Sequence, residues 1–165
     1  MKRAIIIMAK VPEAGKVKTR LQPFLTPEQS AELADCLLQD TINKAKTLEN
    51  KLIIAYSPSE RRGYFDSFHN INLVAQNGND LGERMFNAFE FAFDNDSDSV
   101  VMIGTDSPTF PPEFIEKAFE YLEQNDAVLG ETEDGGFYLI GLRKLNKRIF
   151  QNVEWSSEKT CSQTK

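Results

Sequence analysis

The sequence predicts an α/β protein with a mostly parallel sheet, and three observations lead to this fold class. Short, continuous apolar runs such as Arg3–Ala9 have the pattern of strands buried on both faces of a sheet. Segments whose apolar residues recur at helical spacing alternate with these runs. The 165 residues, 41% of them hydrophobic, suffice for the core of one domain and exclude a disordered chain or a disulfide-stapled scaffold.

The first half of the chain is predicted to hold three strands and one long helix. Thr26, Pro27 and Gln29 form a helix-start signature, because proline suits the first helical position and the hydroxyl and amide form a capping box. Apolar residues then recur as far as Ala45, which gives a helix of about five turns. The predicted strands are Arg3–Ala9, Lys51–Tyr56 and Asn72–Gln76, with a short helical or irregular piece around Ser59–Phe68.

The second half alternates in the same way. One helix runs from Leu81 to Phe93, and Pro111 and Pro112 open another that reaches Leu122. Strands that alternate with helices form parallel sheets, which bind ligands outside the carboxyl ends of their strands. Functional residues are therefore expected in the loops at these strand ends. The strands predicted here are Ser99–Ile103, Ala127–Gly130 and Phe137–Gly141.

Charge is distributed unevenly along the chain. Residues 2–20 hold six basic residues and one acidic residue, a formal charge of +5, so the remainder carries −11 within a total of −6. An acidic body argues against a protein that binds nucleic acid or anionic lipid over its whole surface. The basic segment instead predicts a local anion site.

The loop after the first strand, residues 10–20, is called the head loop here. Gly15 permits a tight turn, and closely spaced cations suit a phosphate chain. The loop is not a Walker A motif, because Lys10 and Val17 stand where that motif requires Gly and Ser or Thr. A solvated basic loop is the alternative, although the position directly after a buried strand favours the anion site. The four cations of the loop are Lys10, Lys16, Lys18 and Arg20.

Asp106 comes after the fourth strand, in the run Gly104-Thr105-Asp106-Ser107-Pro108, and is expected to project from the ligand-binding edge of the sheet. A carboxylate there suits Mg²⁺, which proteins hold with one or two carboxylates plus substrate phosphates. A turn-forming aspartate is the alternative. A phosphatase-like nucleophile is disfavoured, because that motif requires a second aspartate where Pro108 stands.

Two further polar segments lie at strand ends. Asp134, in the stretch Glu131–Gly136, is suited to bind a sugar hydroxyl, assist a metal or act as a base, with a plain hairpin turn as the alternative. Gln76, Asp80 and Arg84 provide donors and acceptors after the third strand. Asp80 equally suits a helix cap and Arg84 a local ion pair. Trp155 is expected to pack into the protein, ahead of stacking on a base or a sugar.

The remaining features concern the cellular setting. Cys36 and Cys161 lie far apart and show no spacing suited to zinc, which predicts a reduced, cytoplasmic protein. The apolar run near Met1 stops at Lys10, short of a signal peptide, and no other run approaches the length of a membrane span. We therefore expect neither a membrane nor a nucleic-acid partner.

Four motifs, in order along nearly the whole chain, resemble the bacterial DUF2064 family of glycosyltransferase-like proteins, within the nucleotide-diphospho-sugar transferase superfamily. Taken together they are much more specific than any one alone. They are Lys10-x-Pro12-x-x-Gly15-x-x-Lys18-Thr19-Arg20-Leu21, Gln76-x-Gly78-x-Asp80-Leu81-Gly82-Glu83-Arg84-Met85, Gly104-Thr105-Asp106-Ser107-Pro108 and Glu133-Asp134-Gly135-Gly136-Phe137-Tyr138-Leu139-Ile140-Gly141-Leu142.

The resemblance implies a three-layer α/β/α, Rossmann-like fold of the GT-A type that binds a nucleotide through Mg²⁺ or Mn²⁺. It implies that Asp106 holds the metal. We expect Asp106, Asp134 and Lys18 to be the catalytic residues. It further implies contacts to the nucleotide from the head loop and the second motif. The residues expected to bind nucleotide or phosphate are Lys10, Gly15, Lys18, Arg20, Gln76, Asp80 and Arg84.

Members of this family continue for some tens of residues beyond the position of Trp155, with a late acidic segment suited to a second metal ligand. Residues 1–165 are thus expected to be one domain without that segment, either as a fragment, as the product of a short gene, or with Asp134 in its role. We expect a metal-dependent transferase that uses a nucleotide sugar and a small acceptor. The alternatives are a nucleotidyltransferase that uses a nucleoside triphosphate, and a non-catalytic nucleotide-binding protein.

Overall fold

The computed structural model describes residues 1–164, which form one six-stranded sheet with helices on both faces. The strand order across the sheet is β3-β2-β1-β4-β6-β5. The three-layer α/β/α arrangement and the mostly parallel sheet are confirmed. The strands are β1 (Arg3–Lys10), β2 (Lys51–Ser57), β3 (Asn72–Ala75), β4 (Ser99–Ile103), β5 (Ala127–Glu131) and β6 (Phe137–Leu142).

Local signals in the sequence account for where the helices begin. In the first helix, the Thr26 hydroxyl accepts the amide hydrogen of Gln29, and the Gln29 side chain accepts that of Thr26, so the predicted capping box is confirmed. Asp80 caps the second helix by accepting the Glu83 amide hydrogen at 2.8 Å. The helices are α1 (Pro27–Lys46), α2 (Leu81–Asp94), α3 (Glu113–Leu122) and the short α4 (Thr160–Thr164).

The direction of each strand determines which loops share an edge of the sheet. β1 pairs in parallel with β2 and β4, and β2 pairs in parallel with β3. β6 is antiparallel to both β4 and β5, so it is the one reversed strand among the six. The carboxyl ends of β1, β4 and β5 therefore lie at the same edge, which brings their loops together.

Residues of β1 alternate between two core layers. Ile5 and Ile7 face the layer formed with α1 and α3, where Phe119 is fully buried. Ile6 faces the opposite layer, where Phe89 of α2 is fully buried. Burial on both faces explains the continuous apolar run of this strand. None of the helices within residues 1–164 combines the length and apolarity that a membrane crossing requires.

Candidate functional site

The head loop is fixed in place by ion pairs that it makes with itself and with the segment after β2. The Glu13 carboxylate lies 2.7 Å from the Lys16 ammonium and 2.8 Å from Nε of Arg61. The hydrogen bond from Lys16, together with the charge of Arg61, holds the pKa of Glu13 below its ordinary value. The Lys10 ammonium donates to the carbonyl oxygen of Lys16 at 2.7 Å. These contacts fix the conformation of the loop.

Lys18 connects the head loop to the loop after β4. Its backbone is left-handed, with φ 48°, and its ammonium donates to Oδ1 of Asp106 at 2.5 Å. The Lys18 side chain is only 17% exposed, whereas that of Asp106 is 80% exposed, so the carboxylate remains open to solvent beside the ion pair. Two residues 88 positions apart in sequence thus lie side by side at the carboxyl edge of the sheet.

A cleft of about 380 Å³ lies over this edge, and we call it the phosphate cleft because of its charge. Among the described residues, the Arg20 guanidinium has no hydrogen-bond or ion-pair partner, so its charge is available to a ligand. The predicted convergence of basic and acidic residues is therefore present in the fold. The charged side chains that line the phosphate cleft are Lys10, Lys16, Lys18, Arg20 and Asp106.

The loop between β5 and β6, which we call the Asp134 loop, forms a wall of a second cleft of about 430 Å³. This cleft shares Arg20 and Asp106 with the phosphate cleft. Oδ1 of Asp134 accepts the Thr132 hydroxyl at 2.5 Å and the Gly136 amide at 3.2 Å. These two hydrogen bonds hold the pKa of Asp134 below its ordinary value, and the one from the Thr132 hydroxyl has the larger effect. We call this second space the central cleft.

Replacing Thr132 by Val is expected to raise the pKa of Asp134, because valine cannot donate to the ionised carboxylate. Because its pKa is lowered in the folded protein, ionised Asp134 stabilises the fold at pH values above the ordinary carboxyl pKa. This stabilisation is lost as the pH falls through the lowered pKa. Thr132→Val should weaken this contribution, and Thr132→Ser, which keeps the hydroxyl, should preserve it. A pH titration of the Asp134 carboxyl by NMR measures both, and equal pKa values in the valine variant and the parent would contradict the assignment.

Of the remaining predicted residues, Gln76 and Arg84 border a third cleft, of about 380 Å³, together with Lys10 and Lys16. The Gln76 amide donates to the carbonyl oxygens of Ala9 at 3.2 Å and of the β2 residue Ala55 at 2.8 Å, and thereby joins β1 to β2. Arg84 donates through Nε to the carbonyl oxygen of Gly78 at 3.1 Å, so its local partner is a carbonyl and not an acid. Their contacts with a nucleotide remain predictions.

Asp80 is not brought to the phosphate cleft. Besides capping α2, it lines a fourth cavity, on the far side of Trp155. Gly15 has a positive φ of 77° within the head loop, as its predicted turn requires. A role for either residue in nucleotide binding remains a prediction.

Two residues near the end of the chain are not predicted by sequence to belong to the site. Trp155 lines the central cleft, and its indole lies against Gly82, where an added Cβ would stand 2.6 Å from the ring. Glu158 lines the same cleft, and its backbone packs on Gly135. Neither residue directly succeeds a strand, so only the tertiary packing of the segment could place them here. The glycines they pack against are the one available signal.

The acidic residues of the two clefts do not form a ready-made metal cage. Within residues 1–164, no group of three or more His, Cys, Asp or Glu side chains is arranged to hold a metal ion. Asp106 offers one exposed carboxylate at the junction of the clefts. A hard cation there would need oxygen ligands from a substrate, which is the usual way in which Mg²⁺ binds beside phosphates.

The sequence matches a known protein family over most of its length. The family described as an uncharacterized protein conserved in bacteria, DUF2064, matches residues 38–157. The chain belongs to the DUF2064 family. The match begins within α1 and includes both Asp106 and Asp134, whereas the head loop and Glu158 lie outside the matched residues.

Relatives of this DUF2064 chain are transferases. A protein provisionally described as a nucleotide-diphospho-sugar transferase from Desulfovibrio desulfuricans G20 is 36% identical, with a TM-score of 0.92 over 99% of this chain and 73% of that one. A 2-phospho-L-lactate guanylyltransferase from Methanobrevibacter smithii is 25% identical over 142 residues, which cover 86% of this chain. The chain spans 61% of the length of that guanylyltransferase.

A more distant likeness supports the fold alone. The 4-diphosphocytidyl-2C-methyl-D-erythritol synthase from Anaerococcus prevotii has a TM-score of 0.63 at 13% identity, over 96% of this DUF2064 chain and 81% of that one. The sheet and its flanking helices therefore share the fold of that synthase.

Proposed function

We propose that this protein is a nucleotidyltransferase that takes a nucleoside triphosphate, transfers its nucleotidyl group to a small acceptor and releases pyrophosphate. The observation that carries the proposal is the phosphate cleft, where four cations of one loop surround a space next to Asp106. A triphosphate carries about four negative charges, and the cations of the head loop, of which Lys16 and Lys18 also pair with Glu13 and Asp106, would offset part of that charge. The guanylyltransferase relative favours a nucleotidyl donor over a nucleotide sugar.

The residues of the cleft support the departure of pyrophosphate. The hydroxyl oxygen of the acceptor attacks the α-phosphorus and its proton passes to solvent, while the bond from that phosphorus to the bridging oxygen breaks and pyrophosphate leaves with the electron pair. Lys10, Lys18 and Arg20 are placed to stabilise the charge that develops on the departing oxygens. The head loop is already ordered by Glu13, so its donors need little rearrangement as charge develops.

Asp134 is assigned a positioning role toward the acceptor. Its lowered pKa keeps the carboxylate ionised at neutral pH and makes it a weak base, so a hydrogen bond to the acceptor hydroxyl suits it better than removal of a proton. The central cleft, where Asp134 lies with Asp106, would hold the reacting end of the acceptor.

The clefts fit Mg²⁺ or Mn²⁺ bound between protein and substrate. Asp106 would hold the ion with one carboxylate, and the phosphates would supply further oxygen ligands. When bound, the ion would neutralise phosphate charge and polarise the phosphoryl group. Lys18 already pairs with one oxygen of Asp106, so the exposed remainder of that carboxylate is the part open to a cation.

A second candidate is glycosyl transfer from a nucleotide sugar, which the description of the Desulfovibrio relative favours. Incubation of the protein with each nucleoside triphosphate, or with nucleotide sugars, and a mixture of small metabolites distinguishes the two reactions. We expect metal-dependent release of pyrophosphate from a triphosphate. Release of a free nucleoside diphosphate from a nucleotide sugar, without pyrophosphate from any triphosphate, would establish glycosyl transfer instead. Saturable binding of nucleotides with no turnover in either assay would indicate a non-catalytic binding protein.

A further inference from the structure

We propose that the cavity on the far side of Trp155 binds the acceptor, and that this acceptor is an uncharged, hydroxyl-rich molecule such as a sugar or polyol. The inference rests on the proposed function, which assigns the triphosphate to the phosphate cleft. The cavity has a volume of about 730 Å³, larger than the phosphate or central cleft. We call it the outer cavity.

The lining of the outer cavity combines two kinds of surface. The rings of Phe86 and Trp155 offer flat apolar faces, on which the C–H groups of a sugar ring pack. The side-chain amides of Gln151 and Asn152 have no hydrogen-bond partner among the described residues, and each provides donors and an acceptor. Hydroxyl groups, which both donate and accept, match such amides better than a purely anionic or purely cationic ligand does.

The charged side chains of the outer cavity are mostly acidic, whereas those of the phosphate cleft are mostly basic. Asp80 and Glu83 contribute two carboxylates, whereas Lys147 contributes one ammonium, which lies 5.5 Å from the centre of the Phe86 ring. Each carboxylate already accepts hydrogen bonds near the start of α2, from backbone amides and from Asn79, which keeps it in place at the wall. A phosphorylated or carboxylated acceptor would therefore meet net negative charge. An uncharged acceptor avoids this repulsion and still finds hydrogen-bond acceptors.

The outer cavity adjoins the central cleft at Trp155. Trp155 lines both the outer cavity and the central cleft, and the consecutive residues Asp80 and Leu81 line one each. The indole ring of Trp155 is thus a wall that the two spaces share. As the acceptor, a ligand seated in the outer cavity would have to extend one hydroxyl past this ring, toward Asp134 and the α-phosphate expected beside Asp106.

Fluorescence of Trp155 tests the binding site directly, because this is the only tryptophan in the chain. We expect saturable changes in its emission on addition of D-glucose, D-galactose or myo-inositol. We expect binding of D-glucose 6-phosphate or 3-phosphoglycerate to be at least about tenfold weaker, since each brings charge toward two carboxylates. Absence of a saturable change with all three uncharged probes, or equal or tighter binding of the phosphorylated probes, would overturn the inference.

A variant confirms the location. Gln151→Ala should weaken binding of the uncharged probe that binds best by about fivefold, through loss of amide hydrogen bonds. Gln124→Ala, at an exposed position after α3, is the matched control and should leave that affinity unchanged. Equal affinity in the two variants would place the probe elsewhere and overturn the inference.

The outcomes separate this inference from the proposed function. Binding of uncharged probes without pyrophosphate release from any triphosphate would reject the nucleotidyltransferase and leave the outer cavity established as a polyol site. Pyrophosphate release that requires an anionic acceptor would uphold the nucleotidyltransferase and overturn the outer cavity as the acceptor site.

Discussion

Replacement of Asp106 by Asn is expected to reduce metal-dependent nucleotidyl transfer at least about 100-fold, the usual effect of removing one preorganised electrostatic group from a site of phosphoryl or acyl transfer. Asparagine has the same shape but lacks the negative charge. Asp106 is the acidic residue that the phosphate cleft and the central cleft share, so no other described carboxylate lines both. Pyrophosphate release in the presence of Mg²⁺ or Mn²⁺ measures the effect.

The fold should tolerate Asp106→Asn, so a loss of turnover would not result from unfolding. Asp106 is 80% exposed and its ion pair with Lys18 is the only contact of its charge with a basic group among the described residues. Asp96→Asn is a matched control, because Asp96 also pairs with one lysine, Lys2, but lies away from the clefts. Undiminished turnover by folded Asp106→Asn protein would reject both the metal site and the reaction proposed for this cleft. A similar loss in Asp96→Asn would show that the effect is structural.

The strands and helices could be predicted from sequence because their signals are local. Thr26, Pro27 and Gln29 determine the start of α1 within four residues, and the capping box they form needs no tertiary contact. The run of β1 is apolar because both faces of the strand are covered. The third strand ends one residue earlier than predicted, at Ala75, although the backbone amide of Gln76 still donates to the Tyr56 carbonyl oxygen of β2 at 2.8 Å.

The candidate site could be predicted only in part. Lys18 and Asp106 each lie in the loop after a parallel strand, and the rule that such strand ends share one edge predicts their proximity. The ion pair between Glu13 and Arg61 could not be predicted, because no periodicity or spacing in the sequence indicates it. The sequence favours an interior position for Trp155, but close contact with Gly82 holds it at the wall of two cavities. Such contacts depend on the path of the terminal segment across the sheet edge, which no local pattern encodes.

Replacement of Gly135 by Ala is expected to destabilise the protein by about 2–4 kcal/mol, from backbone strain and overpacking together. Gly135 has a φ of +80°, which side-chain-bearing residues rarely adopt, and an added Cβ would stand 2.0 Å from the carbonyl oxygen of Glu158. The obstacle is backbone and cannot rotate away. The Gly135 carbonyl also accepts the amide hydrogen of Cys161 at 2.9 Å, so a shift of the loop would break this link as well.

Alanine variants of two other glycines distinguish the cost of backbone strain from the cost of a steric clash. Gly15 has a similar φ of +77° but open space around its Cβ position, so Gly15→Ala should cost only about 1 kcal/mol of backbone strain. Gly104 has neither a positive φ nor a neighbour within 4 Å, so Gly104→Ala should stay within about 0.5 kcal/mol of the parent. Urea unfolding monitored by Trp155 emission measures all three free energies. If Gly135→Ala proved no less stable than Gly15→Ala, the Glu158 backbone would not lie against the Asp134 loop. The central cleft would then lack the wall on which the position of its acceptor depends.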